Sequence, residues 1–446
     1  MGMGLNKNRI RNLSLGLLVV VSFFLSFSLW TAGRDIDEEE NSGSKTSSSS
    51  VSLVTHGESD VFRPTEVALH GTDSSDSILL GRTYALRNFL ETRFETKNLH
   101  RIENSETFDY EDYLNRLEIG EWVEFIYREE QPFELIADKF SDLSQDLNED
   151  FYDRVLVDVN EPDAVYFYHT ATRTLYTASV LENEKVDVKP FLNQENIDYI
   201  NAEATTLANN IVYLPEDSQK IPYKSYVIDK LPSSTYIGNF FPDTSLVDVR
   251  STDDFTRYID LTKEVTINQE NYTLTYLRQI DDGGELSTAE RYTRSFEQVN
   301  RFENWSDTFV LSDYDHEKQV VSFQREIEGT PVFSSSGDES ISEVSLVESG
   351  VTHMKLPLRF ISTPITIDAS TKELISGESL LQRVESSLDE EDFEKVEDFA
   401  LGYTWQESEE ESEVIYFNPD WYILYNGEWI EVDSFLKSHE EAAYGL

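Results

Sequence analysis

The chain has 446 residues, of which 39% are hydrophobic and 12% aromatic, and its formal charge is −50, from 86 acidic and 36 basic side chains. The apolar content is enough to build packed cores, which excludes a disordered chain, and the acidity excludes a nucleic-acid partner because phosphate binding needs a basic surface. The chain has no cysteine, which excludes disulfides, thiolate metal sites, a cysteine nucleophile and a lipidated cysteine.

The first predicted element is a membrane-spanning helix over 13–33. This segment carries no charged side chain and has about the length that a bilayer core of ~30 Å requires. Lys7, Arg9 and Arg11 precede it, and five acidic residues follow within 35–40. Basic flanks favour the cytoplasmic side. We therefore expect a cytoplasmic tail over 1–12, a single-pass helix in the cell membrane and an extracytoplasmic bulk.

A cleaved signal peptide is the competing interpretation of the same segment. Thr31, Ala32 and Gly33 are small enough for a cleavage site,. The apolar run is longer than a typical signal core, however, and it ends in Trp30, an aromatic residue suited to the membrane interface,. The sequence therefore favours an uncleaved anchor.

One face of this helix is the only candidate binding site that the sequence suggests. Ser22 and Ser26 lie four residues apart and share a face with Gly33. Small residues let membrane helices approach closely, and hydroxyls can form hydrogen bonds across the interface. Serines in such helices also form hydrogen bonds with their own backbone, and the sequence leaves both interpretations open.

A flexible acidic and serine-rich tether is predicted over 34–60, followed by a first mixed α/β unit over 61–148. The predicted elements of that unit are a strand over 61–70, helices over 86–94 and 110–117, a strand over 122–127 and a helix opening at Pro132. The helix over 110–117 rests on apolar residues at i, i+3, i+4 and i+7.

A second α+β unit is predicted over 149–240. Three short runs of β-branched and aromatic residues, at 155–159, 164–169 and 174–180, predict an antiparallel meander,. The remaining elements are a helix over 192–209 and strands over 211–214 and 223–228.

The third unit, over 241–446, begins with two predicted strands, 257–267 and 272–280, and contains a capping-box pattern at Ser287 and Glu290,. Asn426 and Gly427 form the turn pair of a type I′ hairpin. Its other predicted elements are strands over 319–327, 343–347 and 353–361 and a helix over 377–386. The predicted fold class is α+β, with three mixed α/β ectodomains and mainly antiparallel sheets.

The sequence contains no motif of a known chemistry. It has no G-x-S-x-G elbow, no P-loop and no G-x-G-x-x-G, and its seven histidines stand apart,. Asp313, Asp315 and Glu317 alternate like calcium ligands, but Lys318 and Gln324 occupy the positions where an EF-hand loop needs Gly and Glu,. We therefore predict no catalytic, metal or cofactor-binding residue, and a protein that is not an enzyme.

The order of these features resembles the YycH family of anchored accessory proteins. The likeness rests on the anchor ending at 23–30, on the strand region 61–70 with Phe62, Arg63 and Pro64 at its centre, and on the C-terminal stretch. That stretch contains Leu401, Gly402, Tyr403, Pro419, Trp421 and the Asn426–Gly427 hairpin up to Trp429. It is also similar to the partner protein YycI.

The resemblance implies three ectodomains, two of them akin to the YycI fold. It also implies that the membrane helix contacts the membrane helices of a WalK/YycG-type sensor histidine kinase, in a complex with a YycI-like protein. Such a protein regulates cell-wall metabolism through the kinase. An ectodomain that binds a wall component or a secreted ligand is the alternative function, and a surface hydrolase is a third.

Overall fold

Antiparallel strands form most of the computed structural model of this chain, and short helices cover the sheets. The structure describes residues 57–71, 76–79, 99–161, 163–181, 186, 188–189, 199–207, 210–280, 284–302, 308–334, 339–365, 370–408 and 413–444. The predicted tail 1–12 and the predicted helices over 13–33 and 86–94 lie outside these residues, as do residues 34–56 of the predicted tether 34–60.

Nine strands form the first sheet of the described chain. They are β1 Glu66–His70, β2 Asp76–Leu79, β3 Leu99–Thr107, β4 Trp122–Pro132, β5 Phe151–Asp158, β6 Ala164–His169, β7 Thr174–Val180, β8 Tyr199–Thr206 and β9 Ile211–Pro215. Their spatial order is β3-β7-β6-β5-β4-β1-β2-β8-β9. The meander predicted over 155–180 is confirmed, because β5, β6 and β7 are adjacent antiparallel strands.

Both faces of this sheet are covered. Val155 and Val157 belong to one hydrophobic core, whereas Leu156 between them belongs to the core on the opposite face, as the two-residue period of a strand requires. Helix α2, Tyr110–Leu117, packs Tyr113 and Leu117 into the second of these cores. The first core contains Phe133, which begins the 3-10 helix Phe133–Lys139.

The second sheet contains fourteen of the remaining described strands. They are β11 Lys224–Lys230, β12 Asp248–Ser251, β13 Phe255–Asp260, β14 Lys263–Asn268, β15 Thr273–Arg278, β16 Thr308–Asp315, β17 Val320–Ile327, β18 Thr330–Phe333, β19 Ile341–Val347, β20 Gly350–Pro357, β21 Arg359–Pro364, β23 Val396–Glu407, β24 Val414–Tyr425 and β25 Glu428–Glu431. The main path is β12-β13-β14-β15-β20-β19-β17-β18-β23-β24-β11-β21, with β16 paired to β17 and β25 paired to β24. Strands β10 (Gln219–Pro222) and β22 (Thr371–Leu374) pair separately.

Parallel pairing is rare in this arrangement. Among the described strand pairs, only β18 and β23 run parallel, so the predicted mixed fold with mainly antiparallel sheets is confirmed. The hairpin predicted at Asn426 and Gly427 joins β24 to β25, and both residues have the positive φ angles, 51° and 76°, that a type I′ turn requires,.

Six further α-helices are described, together with the short 3-10 helices Gln145–Leu147 and Thr244–Leu246. The α-helices are α1 Glu58–Val61, α3 Ser233–Phe240, α4 Thr288–Asn300, α5 Gly377–Ser387, α6 Glu390–Phe393 and α7 Val432–Tyr444. The predicted capping box of α4 is present, because Ser287 Oγ accepts from the Glu290 amide and Glu290 Oε2 accepts from the Ser287 amide. Within the described ranges no helix combines the length and apolar character needed to cross a membrane.

Several predicted elements are wrong in type or extent. The described part of the predicted helix over 192–209 is strand β8, which pairs with β2 and β9; its Ile and Thr side chains suit a strand. The predicted strand 257–267 is the hairpin of β13 and β14, which turns at Leu261 and Thr262. Within 61–70, Val61 ends α1 and only 66–70 is strand.

The two sheets share packing across the predicted unit boundaries. The boundary predicted at 148 lies between β4 and β5, which are neighbours in the first sheet. Val212 and Leu214 of β9 pack in one core with Leu380 of α5 and Ile423 of β24. The division into units 61–148, 149–240 and 241–446 stays a prediction.

Candidate functional site

The partner-binding residues predicted from the sequence, Ser22, Ser26 and Gly33, lie outside the described residues, so that site stays a prediction. The described chain offers three other features that a function could use. These are a buried charged cluster in the first sheet, the residues that carry the family resemblance, and a cavity between the sheets.

The charged cluster is centred on the carboxylate of Glu124 in β4. Tyr113 of α2 and Tyr213 of β9 donate their hydroxyls to it at 2.7 and 2.6 Å. Arg154 of β5 donates through Nη1 at 2.6 Å, and His70 Nε2 of β1 lies 2.9 Å from Oε2. All five side chains are buried, so this cluster ties a helix to four strands in the interior.

The electrostatics of the cluster favour a permanent ion pair. Burial alone raises the pKa of Glu124, but the guanidinium of Arg154 and the hydrogen bond from His70 outweigh it, and this pKa lies well below the ordinary carboxyl value,. Burial lowers the pKa of Arg154, yet the Glu124 carboxylate raises it well above its usual value. A general acid or base needs a pKa near the working pH, so this pair serves the fold rather than proton transfer.

This cluster is not among the predicted sites, although the sequence contains one signal for it. Glu124 is the only charged side chain in the apolar run 122–127, and a lone acid in a buried strand needs a buried partner. Its partner Arg154 lies 30 residues further along the chain, and the sequence alone gives no way to choose it among 36 basic residues.

The residues Phe62, Arg63 and Pro64 connect the start of the first sheet to the second. The centroid of the Phe62 ring lies 6.3 Å from the ring centroid of Tyr292 and 5.9 Å from that of Phe296, both on α4. Arg63 is buried, donates Nε to a backbone oxygen at 3.1 Å and forms an ion pair with Glu326 of β17. This part of the resemblance therefore has a packing role.

The C-terminal signature residues also pack tightly. A side chain at Gly402 in β23 would overlap the ring of Phe333 in β18, and that ring stacks on Tyr422 with centroids 3.9 Å apart. The neighbouring Tyr403 donates its hydroxyl to the Pro222 carbonyl at 3.0 Å. Glycine at this position is therefore required by the close approach of β18 and β23.

A cavity of about 640 Å³ lies between the two sheets. Its lining residues include Glu66, Arg128 and Arg154 from the first sheet and Asp398, Tyr403 and Trp421 from the second. The cavity thus combines ionisable side chains with an aromatic wall, which is typical of small-molecule sites.

Two carboxyl groups in this cavity have strongly raised pKa values. Burial, followed by the nearby Asp398 carboxylate, raises the pKa of Glu66 to about 8. Burial also raises the pKa of Asp398 to about 6. The Oε1 atom of Glu66 is buried and has no hydrogen-bond partner among the described residues. No sequence pattern distinguishes either residue among the 86 acidic residues.

Two of the histidines share one carboxylate partner. His169 Nε2 and His316 Nε2 lie 2.8 and 3.2 Å from the carboxylate of Glu130. Among the residues that the structure describes, no group of three or more His, Asp or Glu side chains is placed to hold a metal ion. The Asp315 side chain accepts hydrogen bonds from the Glu317 and Lys318 amides in the β16–β17 turn.

Comparison with known proteins identifies the family. The model described as "YycH protein, N-terminal domain" matches residues 8–197, and the model described as "YycH protein, C-terminal domain" matches residues 209–440. No curated protein matches the chain.

Among solved structures, the crystal structure of YycH from Bacillus subtilis matches with a TM-score of 0.67 at 16% identity, covering 85% of this chain and 98% of that one. An uncharacterized protein from Eubacterium rectale matches with a TM-score of 0.31 at 12% identity, over 50% of this chain and 81% of that one. The first of these likenesses shows a shared fold, and the second carries no argument. Since the two family models together span nearly all of the chain, it belongs to the YycH family, which supports a regulatory accessory role in the WalK/YycG sensor-kinase system.

Proposed function

We propose that residues 13–33 anchor this chain in the cell membrane and that the same segment regulates a WalK/YycG-type sensor histidine kinase. Through the kinase, the chain regulates cell-wall metabolism. In this proposal the helix contacts the membrane helices of the kinase and of a YycI-like partner. Residues 1–12 lie in the cytoplasm, and the ectodomain units predicted from 61 onward, including the YycI-like unit 241–446, lie outside.

One observation carries this proposal. The match to the N-terminal domain of the family begins at residue 8, so the apolar segment 13–33 is part of the family's domain rather than an addition to it. The basic residues before it and the acidic residues after it support the orientation,. No catalytic family is among the matches, which favours a regulatory partner over a surface hydrolase.

The face formed by Ser22, Ser26 and Gly33 is the proposed contact with the partner helices. On a helix these three positions fall within about 40° of one another, at 100° per residue. Small side chains there allow close backbone approach, and the two hydroxyls can donate across the interface. Phe24 lies on the opposite face and serves as a matched control.

The test is photo-crosslinking in the membrane of cells that produce the full-length chain. A photoreactive amino acid replaces Ser22, Ser26 or, as the control, Phe24, and the adducts are identified by mass spectrometry. We expect kinase or YycI-like adducts from positions 22 and 26 and few from position 24. Equal yields from all three positions, or no adduct with either protein at normal expression, would contradict the proposal.

A further inference from the structure

The cavity between the two sheets contains two carboxyl groups that have no basic partner in an ion pair. Glu66 of β1 and Asp398 of β23 both line it. Neither forms an ion pair with any residue that the structure describes, and the buried Oε1 atom of Glu66 accepts no hydrogen bond there. A carboxylate oxygen that is buried without a partner is unfavourable, so Glu66 requires a proton or a bound cation.

The basic side chains of the cavity already have partners of their own. Arg154 donates to Glu124 at 2.6 Å, and Arg128 donates through Nη1 to Gln324 Oε1, also at 2.6 Å. Lys224 forms an ion pair with Glu328 at 2.8 Å. An anionic ligand would therefore have to displace existing contacts. A cationic ligand would meet two carboxyl groups that form no ion pair with a described residue, since Asp398 Oδ1 accepts only from the Phe399 amide, at 2.7 Å.

Aromatic side chains also line the cavity. Tyr403, Trp421 and Trp429 line it, and the indole of Trp421 is held in place because its Nε1 donates to the Ile375 carbonyl at 3.0 Å. Aromatic faces attract ammonium and guanidinium groups, and they also pack against alkyl chains. The volume of about 640 Å³ lies within the range of roughly 300–1,000 Å³ that is common for small-molecule sites.

We propose that this cavity binds a small organic cation, with a primary ammonium or guanidinium group between Glu66 and Asp398 and its alkyl part against the aromatic wall. This inference does not depend on the proposed role of the membrane helix. It assigns the ectodomain a binding site of its own, in which a soluble amine would contact both sheets.

The pH dependence of binding follows from the groups that face Glu66. These are Asp398 from β23, Arg154 from β5, and Glu124 and Arg128 from β4. The pKa of Glu66 is about 8, so a cation that binds near neutral pH must displace the proton. Binding should therefore strengthen as pH rises from about 6 to about 8.5, a range in which an alkyl ammonium with a pKa of roughly 10 stays charged.

The experiment uses the purified full-length chain in detergent, with cadaverine and agmatine as probes and pentanediol as the uncharged control. Binding is followed by tryptophan fluorescence and by the thermal unfolding midpoint, in about 0.15 M salt to screen the acidic surface. We expect saturable binding of cadaverine or agmatine, no response to the diol, and roughly tenfold weaker binding in Glu66→Gln and in Asp398→Asn.

A matched control separates this site from the acidic surface. Glu390→Gln removes the same charge at an exposed position of α6 and should leave cadaverine binding unchanged. The proposal is overturned if Glu66→Gln and Glu390→Gln bind cadaverine alike, or if the diol and the diamine act equally. If both cavity variants fail to fold, binding by the unaltered chain that does not strengthen with pH would overturn it as well.

Discussion

The carboxylate of Glu124 shows how a single residue holds this fold together. It is buried with four polar partners, among them the guanidinium of Arg154. Because both charges have left water, their attraction stabilises the fold only as long as both are present. Removing one partner leaves the other charge buried and unneutralised.

Glu124→Gln should therefore lower the free energy of unfolding by about 3–5 kcal/mol, because it leaves the charge of Arg154 buried without a counter-charge. Urea unfolding of the full-length chain, followed by circular dichroism, measures this change. Glu121→Gln, at an exposed position just before β4, is the control and should change the free energy by less than about 0.5 kcal/mol. Equal effects of the two substitutions would show that the cluster has no special role.

Glu66 predicts a dependence of stability on pH. Its pKa is about 8 in the folded chain, against about 4.3 in an unfolded one, so the folded state holds the proton more tightly. The contribution of Glu66 to stability is full below the unfolded value and is lost as pH rises through the folded value. Unfolding free energies measured between about pH 5 and 8 should fall less steeply in Glu66→Gln than in the unaltered chain. Identical slopes would contradict the raised pKa.

At the level of elements, the pairing of β18 with β23 depends on Gly402. Gly402→Ala brings a methyl group into the ring of Phe333, and such overpacking should lower the free energy of unfolding by about 1–3 kcal/mol. Gly238→Ala is the matched control, because Gly238 lies in α3 with open space around it and alanine favours a helix by up to about 1 kcal/mol. Chemical denaturation compares the two variants, and a neutral Gly402→Ala would show that the strands can move apart.

Elements with local signals could be predicted from the sequence, and those that depend on distant partners could not. The capping box at Ser287 and Glu290 and the turn at Asn426 and Gly427 act over a few residues, and both are found where the sequence places them. Strand β8 lies where the sequence predicts a helix, because its strand character depends on pairing with β2 and β9. The hairpin of β13 and β14 turns without glycine or proline and leaves no turn signal.

Neither the cavity nor the buried cluster could be predicted from the sequence, and the reason is the same for both. Glu124 and Arg154 meet across strands, and Glu66 and Asp398 meet across two sheets. The resemblance of the chain to the YycH family, in the order of its sequence features, is more informative than any single motif, since it predicts the family. The structure gives Arg63 and Gly402, which carry that resemblance, roles in packing rather than in chemistry.

Considered as a whole, the described chain has its two sheets joined at several buried contacts. Arg63 pairs with Glu326, β9 shares a core with α5 and β24, and Tyr292 of α4 reaches β4 through its hydroxyl. The cavity lies at this joint, so a bound cation would act on both sheets. The proposed regulatory contact is in the membrane, at the N-terminal end of the chain.

The most direct test of the central claim replaces residues 13–33 with an unrelated apolar helix of equal length and measures phosphorylation of the kinase's response regulator in cells. A second exchange that keeps Ser22, Ser26 and Gly33 in their positions is the control. If the membrane helix regulates the kinase, the first exchange alters the phosphorylation level of the response regulator at normal protein abundance. The second exchange restores that level in whole or in part. Unchanged phosphorylation after the first exchange would contradict regulation through the membrane helix.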